Sequence, residues 1–284
     1  MTIQTGIQSE RLFFLEFLAL FTGQVSRKDL IARFSISEAA ATKDLSAYTT
    51  LAPNRIEYNL RKKHYTYVSG APHFHHNVDQ SLFALAGERA IAVDYDHAKK
   101  IPSWVHSDMK SPLSLECVSA ITRCIHQRKK LKASYYSLTS GQTERILSPL
   151  ALINDGLRWH VRCFDHNKSS HRDFNLTRFL SVLEGDTSSA TLEDDDEWNT
   201  VVIVKLQPHP KAAHPETIKF DYDIADDVKI VEIRSCLVGY FLRHWNIDYS
   251  DDASGNPKAK QLFLKNKSEL IELGVDRWAF DSPF

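Results

Sequence analysis

The chain has 284 residues, 43% hydrophobic and 25% charged, the profile of a folded protein of two or three domains rather than of a disordered or fibrous chain. No apolar run approaches the roughly 20 residues that span a bilayer, and Met1-Thr2-Ile3-Gln4-Thr5 lacks the basic start of a secretory signal, so a cytoplasmic protein with no membrane partner is expected. The net charge of −1 hides an asymmetry: residues 1–70 carry nine Lys/Arg against six Asp/Glu and residues 128–185 ten against five, whereas 186–284 carry eleven against nineteen, which suits a polyanion binder with a separate acidic assembly module.

Between Ser9 and Phe21 the residues Leu12, Phe13, Leu15, Phe17, Leu18, Leu20 and Phe21 recur densely enough to predict a buried helix. Ser26 is the N-cap expected for a second helix, with Asp29 placed to answer the open first-turn N–H groups and Leu30, Ile31 and Phe34 on one face. After Ser35-Ile36, Ser37 caps a third helix running through Leu45 and Tyr48 to about Leu51, and so tight a junction predicts a helix-turn-helix. Opposite Ala41, Leu45 and Tyr48 this helix offers Ser37, Glu38, Ala39, Thr42, Lys43 and Ser46, small and polar enough to enter a major groove. Ser37, Ala39, Thr42, Lys43 and Ser46 are the candidate DNA contacts there. Strands Arg55–Tyr58 and Tyr65–Val68 follow, and the tip between them places Arg61, Lys62 and Lys63 for phosphate contact. Residues 1–70 read as a winged helix-turn-helix.

Residues 71–127 read as a helical linker. Asn77 or Asp79 opens a helix through Leu82, Leu85 and Ile91; Pro102 and Pro112 interrupt; Ser114 to Ile125 forms another amphipathic helix. The cluster His73-Phe74-His75-His76 lacks neighbouring ligands at metal spacing, apart from Asp79, and reads as an exposed loop rather than a metal site.

Residues 128–187 carry strand-like runs at Tyr135–Ser137, Arg145–Leu150, Trp159–Phe164 and His171–Phe179. Alternation sends Trp159, Val161 and Cys163 to a core and His160, Arg162 and Phe164 to the other face. With Tyr135, Ser137, Arg172 and Arg178 on the same side, hydroxyls, an imidazole and guanidiniums converge on a patch for an anionic ligand, a nucleotide or short nucleic acid. Ion pairing of Arg162 and Arg172 with Asp165 and Asp173 is the other use open to them. The run Glu193–Glu197 reads as a solvated linker, after which 198–284 alternates strand (Thr200–Leu206), helix (around Pro210–Phe220), strand (Lys229–Ile233) and helix (Ser235–Trp245). No Gly-rich phosphate loop, His-Glu-x-x-His or Gly-x-Ser-x-Gly is present, so neither an enzyme nor a cofactor is expected. Cys117, Cys124, Cys163 and Cys236 form no Cys-x-x-Cys pair and read as reduced core residues.

The segment around Trp159-His160-Val161, with Ser148-Pro149-Leu150 upstream and Phe174, Leu176 and Arg178 downstream, resembles a WYL domain, although His160 and Val161 replace the Tyr and Leu of the naming motif. The stretch Thr42–Tyr48, then Leu51-Ala52-Pro53-Asn54 and Lys63-x-Tyr65, is similar to the DNA readers of WYL-type transcriptional regulators associated with bacterial phage-defence loci (BREX- or CBASS-like). The resemblance implies an α+β multidomain protein: an N-terminal winged helix-turn-helix, a central SH3/Sm-like WYL β-barrel and a C-terminal α+β dimerisation extension that often swaps between protomers. It further implies a homodimeric repressor on a palindromic double-stranded DNA operator, with a nucleic-acid-like effector in the WYL pocket. An activator, or an RNA or single-strand binder using the barrel, is the alternative.

Overall fold

The computed structural model describes residues 6–87 and 111–281. The chain divides into two compact units, Met1–Leu152 with Val161–Ser189 and Ile153–His160 with Ala190–Phe284.

In the first unit the apolar run of residues 12–21 lies within α1 (Gly6–Thr22), followed by β1 (Gln24–Val25), α2 (Arg27–Phe34) and α3 (Glu38–Leu51). Asp29 closes the start of α2 by accepting from the Ser26 N–H and hydroxyl, at 2.7 and 2.8 Å. Ser35 takes a left-handed conformation to end α2, and two residues later the Ser37 hydroxyl accepts from Ala40 N to start α3. The hairpin of β2 (Ile56–Asn59) and β3 (His64–Tyr67) joins β1 in a three-stranded antiparallel sheet ordered β1-β3-β2. Leu12, Leu15, Leu30, Ala41, Leu45, Tyr48 and Ile56 close the core beneath.

Asn77 caps α4 (Val78–Leu85), and Ser114 caps α5 (Leu115–Gln127). The expected continuation of α4 to Ile91, and the break at Pro102, lie outside the described residues. Helix α5 packs on α1 and on the sheet formed by β4 (Lys129–Ser137), β5 (Gly141–Asn154), β6 (Trp159–Asp165), β7 (Ser170–Asn175) and β8 (Phe179–Thr187). The strand order is β7-β6-β5-β4-β8, with β4 antiparallel to both β5 and β8. The expected barrel is therefore observed as an open sheet. β7 and β8 are its two edges, and closure would need those edges to pair, which strand periodicity cannot foretell.

In the second unit α6 (Asp196–Asn199) leads into β9 (Val201–Pro208), α7 (Pro215–Tyr222), β10 (Lys229–Arg234), α8 (Val238–His244), β11 (Leu262–Leu264) and α9 (Lys267–Glu272). The sheet order is β10-β9-β11, antiparallel throughout. Val202, Val204 and Leu206 alternate inward to a core with Ile218, Val238, Leu242 and Leu270. The acidic run expected to be solvated is only partly so: Asp195 is buried, its carboxylate accepting from Trp198 N as the N-cap of α6. Among the described residues no helix is long and apolar enough to cross a membrane.

Candidate nucleic-acid interface and sensor face

Helix α3 has two faces. Ala41, Asp44, Leu45 and Tyr48 are buried, whereas Ser37, Glu38, Ala39, Thr42, Lys43 and Ser46 are exposed together along the opposite side. The Thr42 hydroxyl donates back to Glu38 O and the Ser37 hydroxyl is occupied by the cap, which leaves Lys43 as the extended cation of this surface. The buried side is pinned by charge: Arg11 on α1 donates from Nε to Asp44 at 2.6 Å and from a second nitrogen at 3.2 Å. The Asp44 hydrogen bond holds the Arg11 guanidinium above its ordinary pKa, and so permanently cationic.

The wing is built by one side chain. Asn59 Oδ1 accepts from Arg61 N and Lys62 N, and Lys63, in a left-handed conformation, donates its N–H to Asn59 O. This tight tip holds Arg61, Lys62 and Lys63 exposed on consecutive residues.

The six sensor candidates divide by burial. Tyr135 belongs to the core: its ring meets Phe174 and Phe179 edge-on at 5.1 Å each, and its hydroxyl accepts from Asn175 N. Arg162 is buried, donating to Asp173 at 3.2 Å. His160 is buried in the second unit, 2.9 Å from Asp155, with its ring tilted at 43° against Tyr240 at 4.8 Å between centroids. Burial alone would raise the Asp155 carboxyl, but the His160 hydrogen bond and two backbone N–H groups hold it down at about 2. Ser137 is half-buried and receives Thr139 N and Ser140 N at the β4–β5 turn. Arg172 is exposed and Arg178 half-buried. Register sets Tyr135 opposite Phe179, and Arg178 ends the short 3-10 turn just before that strand position.

The wholly buried Ser148 hydroxyl lies 2.8 Å from His166 Nε2 and 2.6 Å from the Ser188 hydroxyl. Burial, aided by Lys130, keeps His166 below its ordinary pKa and so neutral near pH 7. Among the described residues no group of three or more His, Cys, Asp or Glu is arranged to hold a metal ion.

Three family models match in chain order: the BrxR transcriptional regulator winged helix-turn-helix domain over residues 8–83, the WYL domain over 116–183, and the BrxR transcriptional regulator C-terminal dimerization domain over 201–270. A DNA-binding transcriptional repressor, CapW of Pseudomonas aeruginosa, is 31% identical across 94% of this chain and 91% of its own length. The chain belongs to the BrxR/CapW family of WYL-domain proteins. CapW of Escherichia coli (strain KTE188) is 30% identical over the same shares of the two chains. A solved structure of proteasome accessory factor B/C (PafBC) of Arthrobacter aurescens aligns with 97% of this chain and 49% of that one, at 16% identity and a TM-score of 0.27, and carries no further argument.

Two groups of residues escaped the sequence reading. Glu16, buried in α1, accepts from the Tyr48 hydroxyl, His73 N, Phe74 N and His76 Nε2 at 2.7 to 3.0 Å, so the histidine cluster is partly an internal anchor rather than wholly an exposed loop. The signal for it was a carboxylate set among Leu12, Leu15 and Ala19, since a charge on an apolar face needs a partner. The second is Arg123 on α5. It donates to Glu184 on β8 at 2.7 Å and to Leu20 O on α1 at 2.8 Å, and its guanidinium lies 4.9 Å from the Tyr67 ring centroid. Gln127 adds a bond to Thr22 O, and His126 meets Gln24. The chain turns beneath them at Gly23, whose φ of +79° suits glycine and where a Cβ would stand 1.9 Å from Gln127 Nε2.

Proposed function

We propose that this chain is a homodimeric, sequence-specific DNA-binding transcriptional repressor of a phage-defence operon, with a WYL domain that senses an anionic nucleotide or nucleic-acid ligand. The observation that carries the reading is the small, polar, exposed face of α3, in a domain that also exposes the cationic tip of residues 61–63. A major groove admits a helix with such a face, and lysines and arginines at a wing contact phosphates irrespective of sequence. Ser37, Ala39, Thr42, Lys43 and Ser46 are the proposed groove-facing residues, with Arg61, Lys62 and Lys63 on the backbone. DNA binding and repression are read across from the relatives' names, homodimerisation from the C-terminal family model, and a double-stranded operator from the helix face suited to a major groove. A two-fold dimer makes the operator palindromic.

For sensing, Arg172, Arg178 and Ser137 are the reachable groups, and Arg162 would exchange Asp173 for a phosphate, since a guanidinium pairs with either. Tyr135 would hold the sheet beneath them, its ring packed on Phe174 and Phe179, and His160 is proposed as a further ligand-binding residue. Helix α5 then supplies a route from sheet to reader, because Arg123 touches β8, α1 and β3 at once. Cytoplasmic residence and the absence of a membrane partner follow from this role.

The test is an electrophoretic shift of the purified protein on the DNA upstream of its own gene, against unrelated competitor. A specific shift at nanomolar protein is expected. No preference over competitor would overturn the reading and favour RNA or single-strand binding by the sheet.

A further inference from the structure

Strand alternation in the second unit gives β9 and β10 an inner face on the core and an outer face in solvent. An ordinary solvent face is polar. Here Val201 is 57% exposed, Ile203 42% and Ile230 54%. The antiparallel register sets Ile203 opposite Glu232, Lys205 opposite Ile230, and Val201 opposite Arg234. Residues directly opposite share a face, so three branched aliphatics alternate with one carboxylate and two cations across a two-strand ribbon.

We propose that this outer β9–β10 face is where two copies of the chain meet, an assignment that rests on the homodimer reading above. Three features favour a second copy as the occupant. The face lies wholly within residues 201–270, the span matched by the family's dimerization-domain model. It carries both signs of charge, so a two-fold contact can oppose Glu232 of one copy to Lys205 or Arg234 of the other while the aliphatics meet. Its cations are also held in place beforehand: Lys205 pairs with Glu269 at 2.8 Å, and Arg234 lies 4.8 Å over the Trp198 ring and donates to the Trp198 carbonyl. Side chains already ordered lose little further entropy on association. Phe220 on α7 is more exposed, at 89%, but a single apolar side chain is ordinary on a protein surface and serves as the control.

The experiment is sedimentation equilibrium on the full-length protein, with circular dichroism to verify folding. Ile203→Glu places a carboxylate at the centre of the contact and is expected to raise the dimer dissociation constant by about 100-fold or more, whereas Phe220→Ser leaves it unchanged. A second measurement does not depend on the charged variant. Cys117, Cys124, Cys163 and Cys236 are all buried, so Ile203→Cys and Phe220→Cys each add one accessible thiol. A short bismaleimide is expected to link Ile203→Cys into covalent dimers and to leave Phe220→Cys monomeric. A monomeric wild type would sink the homodimer reading and this face with it. A dimeric wild type with a folded, dimeric Ile203→Glu, or with equal cross-linking at both positions, would sink the face alone.

Discussion

Glu16 ties three parts of the N-terminal domain together, accepting from Tyr48 on α3 and from His73, Phe74 and His76 beyond the hairpin. Burial pushes its carboxyl up, but hydrogen bonds from His76, Phe74 N, the Tyr48 hydroxyl and His73 N outweigh that and leave it below the ordinary glutamate value. Burial, with Glu16 beside it, raises the Tyr48 hydroxyl well above the usual tyrosine range, so it stays protonated and donating. Through Tyr48 the network reaches the buried side of α3, behind the face offered to DNA. A glutamine has one carbonyl oxygen for four donors, so Glu16→Gln strands about two of them, at a cost on the order of 3 kcal/mol in urea unfolding at pH 7. A carboxyl depressed in the folded state stabilises fully above its unfolded pKa of about 4.3, and that stabilisation is lost as pH falls through the lower folded value. The gap between wild type and Glu16→Gln should therefore narrow below about pH 4; a gap unchanged from pH 7 to pH 3 would mean that the ionised carboxylate contributes nothing. The exposed face of α3 was legible from helical periodicity alone, because burial repeats every turn. The Glu16 anchor was not, because its four donors come from residues 48 to 76, and pairing over that distance leaves no periodic trace.

At the scale of elements the instructive case is α5. Its apolar spacing announces a helix buried on one side, and the reading placed it in a linker, because periodicity is silent about what the buried side meets. In the structure it packs against β8 and β4 on one hand and α1 on the other. Arg123 is the polar link of that arrangement, and its three contacts cannot be met by alanine. Arg123→Ala is expected to cost about 1–2 kcal/mol of stability. It should also lower affinity for the specific operator by about tenfold, one decade being 1.4 kcal/mol, while binding to random DNA is unchanged. Competition titrations separate the two, because random DNA responds to the reader's charge and the operator to its orientation. Equal loss on both DNAs would assign Arg123 to stability alone. The strands of the WYL sheet were legible in the same limited sense. Their alternation is local, whereas the openness of the sheet depends on what its edge strands β7 and β8 do.

For the molecule as a whole, charge is the property that a sequence displays and a single contact does not. The acidic balance lies in residues 186–284 and the basic balance in 1–70 and 128–185, so a duplex is attracted to one part of the chain and repelled by another. Association with DNA then depends on salt through the number of phosphates neutralised, each contributing about 0.9 to the slope of log affinity against log salt. Lys62 and Lys63 are exposed, and the tip that carries them is fixed by Asn59, so their removal should leave the fold intact. Lys62→Ala with Lys63→Ala is expected to weaken specific and random DNA alike and to flatten the slope by about two units for each wing engaged. The slope thereby counts wings. A change near two means that one reader of a dimer touches the duplex, and a change near four means that both do, as two half-sites on one face of the helix require. An unchanged slope would remove the wing from the interface and leave α3 alone to explain affinity.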